Sequence, residues 1–213
     1  PITIASHQMV VEEIGVSLTG ACAYAAMEKA NTPLIHHLDH STSVDICNQA
    51  IYNRYPSVMI DASAESLEEN ITQTNAVMEY AKASPLKPHV EAEIGRIKGR
   101  GFEGGYGGQD FLVQVEDAKA LVKATGMDSL AIGVGTAHGF YEGEPEINFA
   151  RLEEVNKAID TPLVLHGGTG IPAADVKRAI SLGINKMNVG TIIHCTYMNN
   201  LRKELDKAGD NPY

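Results

Sequence analysis

The segment His36-His37-Leu38-Asp39-His40 closes the apolar run Pro33-Leu34-Ile35, placing a carboxylate among imidazoles at the end of a strand-length stretch. An aspartate there can move a proton, and a neutral imidazole beside it can ligate a metal ion. Two further apolar runs end comparably, Leu130–Val134 shortly before His138 and Leu163–Leu165 directly before His166. Three imidazoles at ~2.0–2.1 Å with a fourth position open are a recurrent catalytic zinc set. A single histidine past a strand more often packs or caps. Three of them, each beside Gly, Asp or both, point to His40, His138 and His166 as one ligand set. His7, His36, His37, His89 and His194 lack that placement and read as scaffold. Side chains alternate along a strand, so Asp39 and His40 reach one site only if the chain turns out of the strand there.

Asp61 ends Val58-Met59-Ile60, and Glu91 and Glu93 fall within Val90–Ile94. Carboxylates in apolar strands are costly unless paired or metal-bound. Three readings stand side by side: partners that orient the histidines, ligands of a second cation, or an ion pair across the interior with Lys186 or Arg96. The loops His166-Gly167-Gly168-Thr169-Gly170 and Asn188-Val189-Gly190-Thr191 each join a strand to a helix. Such loops let backbone N–H groups approach an anion at a helix N-terminus, or are ordinary tight turns. Gly135–Gly139 adds a flexible loop beside His138, and the Gly-rich stretch Lys98–Asp110, with Glu103, has the length of a lid.

The elements that must position these residues alternate in strict order. Predicted strands are Ile2–Ala5, Leu34–Leu38, Val58–Asp61, Val90–Ile97, Leu130–Val134, Leu163–Leu165 and Lys186–Val189. Predicted helices are Val16–Lys29, Val44–Tyr52, Leu67–Ala83 (capped by Ser66), Val115–Thr125, Phe149–Ile159, Ala173–Leu182 (with Pro172 in its first turn) and Ile192–Ala208. Seven β/α units imply right-handed crossovers and a parallel sheet. An open doubly wound sheet would gather polar residues at one switch point. Here they follow almost every strand, which favours a (β/α)8 barrel one strand short, with its site at the mouth where strand ends converge.

The 213 residues suit one domain with one core. A net charge of −10 without a Lys/Arg stripe excludes a nucleic-acid backbone as partner. Cys22, Cys47 and Cys195 are odd in number and widely spaced, so neither a disulfide framework nor a thiolate zinc site is expected. With no apolar run near ~18 residues and no signal-peptide pattern, the expected setting is cytoplasmic.

Leu38–His40, Glu91-Ala92-Glu93-Ile94-Gly95, Gly135–Gly139, His166–Gly170 and Asn188–Thr191 together resemble the class II (zinc-dependent) ketose-bisphosphate aldolases, closest to the fructose/tagatose-bisphosphate branch. The motifs fall in the family's order and span nearly the whole chain. The resemblance implies that Asp39 is the catalytic acid/base and that His40, His138 and His166 hold Zn2+. It implies that Asp61 and Glu93 can hold a second, displaced or monovalent cation. Ser6, Gly139, Gly167, Gly168, Thr169, Asn188, Val189, Gly190 and Thr191 match segments that bind the phosphorylated sugar; separately, Lys98–Asp110 is either a lid, whose carboxylate such as Glu103 could protonate the carbon left as a carbanion, or a disordered stretch. It also implies a TIM barrel lacking its first β/α unit and its C-terminal helices, and a homo-oligomer, dimer or tetramer. His7–Gly15 departs from the family's Gly-rich segment, and Ser41 stands where Gly is usual. Two other readings use the same residues: a different metal-dependent barrel enzyme on sugar phosphates (epimerase or hydrolase), and a non-catalytic homologue.

Overall fold

The computed structural model describes residues 2–97, 112–141 and 143–209. Its strands are β1 (Ile2–His7), β2 (Leu34–Ser41), β3 (Ser57–Ile60), β4 (His89–Ile94), β5 (Ser129–Ile132), β6 (Leu163–Leu165) and β7 (Ile184–Met187). All are parallel, and their spatial order equals their chain order. A parallel pair cannot be closed by a tight turn, so the chain returns each time through a helix. The helices are α1 (Gln8–Ile14), α2 (Val16–Lys29), α3 (Val44–Tyr52), α4 (Leu67–Ala83), α5 (Val115–Thr125), α6 (Phe149–Ala158), α7 (Ala173–Ser181) and α8 (Thr191–Ala208).

Period-two alternation sorts the strand side chains into two layers. Leu38, Val58, Ile60, Val90, Ala92, Leu130, Ile132, Leu163 and Leu165 face the helices and form the main core with Val77, Leu121 and Leu152. The opposite parity carries a small apolar cluster, Met59, Ala131 and Val164. Its register neighbours include Glu91, Glu93 and Lys186. That inner face is curled on itself, because side chains from distant strands meet across it. Lys186 of β7 donates to Glu91 of β4 at 2.7 Å and lies 3.3 Å from His37 of β2. The fold is thus the barrel expected, drawn from seven strands, and among the described residues β1 and β7 each keep one edge without a strand partner.

Helix boundaries follow local chemistry. Ser43 and Ser66 accept from the Ile46 and Glu69 N–H groups and cap α3 and α4 as good N-cap residues do. Several details differ from the sequence reading, among them β2 running on to Ser41 rather than ending at Leu38 and β4 stopping at Ile94 rather than Ile97. Helix α1 was missed: it is short, and its cap is the His7 imidazole, an unusual N-cap, accepting from Met9 N–H. It meets α2 at 106° across Gly15, whose φ of 99° suits glycine. Pro172 is the N-cap of α7 rather than part of its first turn. Finally, β7 starts at Ile184, two residues before the expected Lys186, with a register irregularity against β6. Asn185, whose side chain accepts from Leu163 N–H, falls there and interrupts the apolar pattern. No single described helix is long and apolar enough to cross a membrane.

Candidate metal and proton-transfer site

The end of β2 makes the turn that the alternation argument requires. Leu38 pairs with Val58 but Ser41 pairs with Ile60, so β2 carries one extra residue against β3. His40 takes φ 48°, a left-handed conformation that costs a non-glycine residue roughly 1–2 kcal/mol. Consequently both neighbours face the residues that follow β6 and β7. Asp39 Oδ1 accepts from Asn188 Nδ2 at 3.0 Å, and His40 Nε2 lies 2.7 Å from His166 Nδ1.

One ring nitrogen from each of His40, His138 and His166 lies within 4.8 Å of the others. The His40 ring meets those of His138 and His166 nearly edge-on, with centroids 4.7 and 4.5 Å away. Two of the imidazoles are held from behind by carboxylates: Asp61 Oδ2 is 2.8 Å from His40 Nδ1, and Glu91 Oε1 is 2.9 Å from His166 Nε2. A carboxylate on the far nitrogen fixes tautomer and ring orientation in metal-binding histidines. Asp61 is itself steadied by the backbone and hydroxyl of Ser63.

A second set uses the other side of His40. His40, Asp61 and Glu93 each place a donor atom within 4.8 Å of one another. Glu93 is almost fully buried, and its Oε2 has no hydrogen-bond partner among the described residues, with His40 Nδ1 3.8 Å away. Burial and then the Asp61 charge push the Glu93 carboxyl well above the ordinary carboxylate range. An orphaned buried oxygen beside three imidazoles is a donor set that fits a divalent cation such as zinc.

Charge is distributed unevenly. Burial opposes a charge on His40, but Asp39, the Asp61 hydrogen bond and Glu93 outweigh it and hold its pKa up at about 10. Burial opposes ionisation of Asp39 as well, yet His40, His166, His37 and Lys186 hold it down at about 2, so Asp39 is a carboxylate at neutral pH. Burial and the neighbouring His40 lower His166. Glu91, despite its burial, is kept well below the usual range by the His166 hydrogen bond and by His37 and Lys186. The interior ion pair and the histidine-orienting role therefore coexist in Glu91, through its two oxygens. Arg96 instead donates to the Ser63 and Ala64 carbonyls.

The strand-end loops pack tightly. Gly167 has φ 71°, and a Cβ there would lie 2.4 Å from the Ala137 carbonyl oxygen. Gly168 donates its N–H to Asn188 O at 2.9 Å, so that amide is already engaged. A Cβ on Gly168 would also press on Met187 and Val189. Thr169 is buried, and its hydroxyl accepts from Ile192 N–H in the first turn of α8. Gly190 caps α8, with open space around it and Thr191 following. Gly139, with φ 97°, belongs to the loop after β5 beside His138. Ser6 is not brought to the cluster: it shares the helix-facing parity of Leu38, and its hydroxyl bonds His36 Nε2 at 3.0 Å. Beside the histidines a cleft of about 190 Å³ opens, lined by His7, Gln8, Thr42, Asp61, Ser63 and Glu93 among others. The lid expectation for Lys98–Asp110 and Glu103 lies outside the described residues.

Sequence reasoning did not give Asn188 its contact with Asp39, nor His37 its place beside Lys186 and Ser57. The only available signal was parity: His37, Asp39, Glu91 and Lys186 all fall on inward positions once strand register is known.

The model of the class-II fructose-bisphosphate aldolase family matches residues 1–213. A 6-phospho-5-dehydro-2-deoxy-D-gluconate aldolase of Bacillus velezensis is 37% identical over 213 residues, covering 99% of this chain and 72% of that protein. A fructose-bisphosphate aldolase of Geobacillus stearothermophilus is 42% identical over 184 residues, 85% of this chain and 63% of that protein. Among solved structures, the YdjI aldolase of Escherichia coli K12 superposes with a TM-score of 0.81 at 34% identity, covering all of this chain and 73% of that one. With that match running from end to end, and a solved aldolase sharing the fold, the chain belongs to the class-II fructose-bisphosphate aldolase family and is a lyase of the aldolase type.

Proposed function

We propose that the chain carries out reversible, metal-dependent aldol cleavage of a ketose 1,6-bisphosphate, fructose or tagatose, to dihydroxyacetone phosphate and glyceraldehyde 3-phosphate. The observation that carries this reading is Asp39, held by Asn188 Nδ2 at 3.0 Å, on the same strand end as an imidazole of the three-histidine set. A zinc ion on His40, His138 and His166 would supply a Lewis acid for the ketone oxygen, where negative charge develops. Asp39 takes the proton from the C4 hydroxyl as the C3–C4 bond breaks, leaving the bonding pair on C3 next to the ketone. In condensation it returns that proton. Asn188 orients the Asp39 carboxylate through Oδ1. The N-terminus of α8 at Gly190 and Thr191, where Thr169 already engages the Ile192 N–H, would hold one phosphate and spend remote binding energy on orientation. Asp61 and Glu93 offer a second cation position behind His40.

A second substrate, 6-phospho-5-dehydro-2-deoxy-D-gluconate, is favoured by the name of the Bacillus velezensis relative. Assays coupled to triose-phosphate release, run on each of the three sugars, separate these choices and also test for an epimerase or hydrolase. Asp39→Ala is expected to retain its metal while kcat falls by roughly 10²–10⁴-fold. His138→Ala is expected to lose both metal and cleavage. Unchanged turnover in Asp39→Ala contradicts the assignment.

A further inference from the structure

Tyr141 has no part in the chemistry above. It lies three residues past His138, and its hydroxyl makes two hydrogen bonds. The oxygen accepts from Ala137 N–H at 3.1 Å and donates to the Gly167 carbonyl at 2.9 Å. Ala137 immediately precedes His138, and Gly167 immediately follows His166. One phenol oxygen therefore spans two strand-end segments that carry two of the three imidazoles.

Those segments touch at this point and leave no slack. Gly167 has no room for a side chain, since a Cβ would sit 2.4 Å from Ala137 O and 2.8 Å from its carbonyl carbon. The aromatic ring lies under the same loop, 3.6 Å from where a Cβ on Gly170 would be. His138 is six residues beyond the end of β5 and one past Ala137, which makes an isolated β-bridge. His166, by contrast, directly follows β6. The imidazole that stands farthest from its strand is thus the one whose neighbour Ala137 is tied across to the segment after β6.

We infer that Tyr141 is a positioning residue: its hydroxyl ties Ala137 to Gly167, sets the separation of His138 from His166, and so sets how tightly the three-imidazole set grips a divalent cation. The inference rests on the metal-site reading and acts through His138 and His166.

Tyr141→Phe removes the oxygen and keeps the ring. The test titrates metal-stripped wild-type and variant chains with Zn2+ against a chromophoric chelator. It also records the visible spectrum of each Co2+-loaded protein and the Tm of each metal-free protein. The variant is expected to bind Zn2+ about 10–100-fold more weakly, the range for losing a group that orients a ligand, and to show an altered Co2+ spectrum. Unchanged affinity overturns the inference whatever happens to Tm. Where affinity and Tm fall together, the Co2+ spectrum decides: an altered one supports positioning, and a wild-type one overturns it. A folded wild-type chain that takes up no metal overturns the metal-site reading itself.

Discussion

His40 faces two neighbours with its two ring nitrogens, Asp61 on Nδ1 and His166 on Nε2. Without metal it carries a proton on each, because the surrounding carboxylates hold its pKa near 10 despite burial. A histidine whose folded pKa exceeds its unfolded value of ~6.5 contributes stability that is fully present below that pH and is lost as pH rises through about 10. A metal ion on Nε2 must displace one of these protons, so metal affinity is predicted to rise with pH across the window from ~6.5 to about 10. Calorimetric titration in buffers of different ionisation enthalpy should report about one proton released per metal near neutral pH. An affinity flat across that window would contradict the charge arrangement. Asp39 behaves in the opposite sense. Its contribution is present above the ordinary carboxylate range and disappears as pH falls through about 2.

Among the elements, the strand ends carry the cost of building the site. The extra residue in β2 and the left-handed His40 bring two neighbouring side chains to one mouth. Gly167 does the corresponding work after β6. Gly167→Ala would force both a positive φ and a 2.4 Å contact with backbone, a strain of about 1–3 kcal/mol. For a chain of this size that corresponds to a Tm lower by roughly 3–10 °C. Gly190→Ala meets nothing within 4 Å and should leave Tm within about 1–2 °C of wild type. Scanning calorimetry on the two variants checks the contrast. The helices α2, α3, α4 and α5 were legible in the sequence to the residue, because their apolar spacing ends at plain stop signals such as Gly126. So was the convergence of His40, His138 and His166, since parallel strands bring their C-terminal ends to one face. What could not be read was which carboxylate backs which imidazole. Glu91 and Glu93 share an inward parity two residues apart, and only the sheet's curl brings Glu91 to His166 and Lys186 while leaving Glu93 beside His40. Ser6 shows the reverse case, a motif match whose side-chain parity turns it toward His36.

At the scale of the molecule, the described residues form a curled seven-stranded sheet with a seam between β7 and β1. Exposed apolar side chains lie on the first and last elements: Ile2, Ile14 and Leu18 on β1, α1 and α2, and Ile180, Ile193, Tyr197 and Leu205 on α7 and α8. Helix α8 buries none of its described residues. Among the described residues the outer edges of β1 and β7 have no strand partner, and such edges beside apolar helix faces favour association. The 213-residue chain is therefore expected to bind a hydrophobic dye and to elute above monomer mass at micromolar concentration. A dye-silent, monodisperse monomer by light scattering would contradict that. The site itself depends on β2, β6 and the segment after β5 being held together, and their ring nitrogens already lie within 4.8 Å of one another. The most direct test of the central claim is a Co2+ titration of the folded, metal-stripped chain followed by visible absorption. One equivalent bound with the intense bands of a four-coordinate ion, absent in His138→Ala, is the predicted result. A folded wild-type chain with no stoichiometric uptake, or with uptake unchanged in His138→Ala, would contradict it.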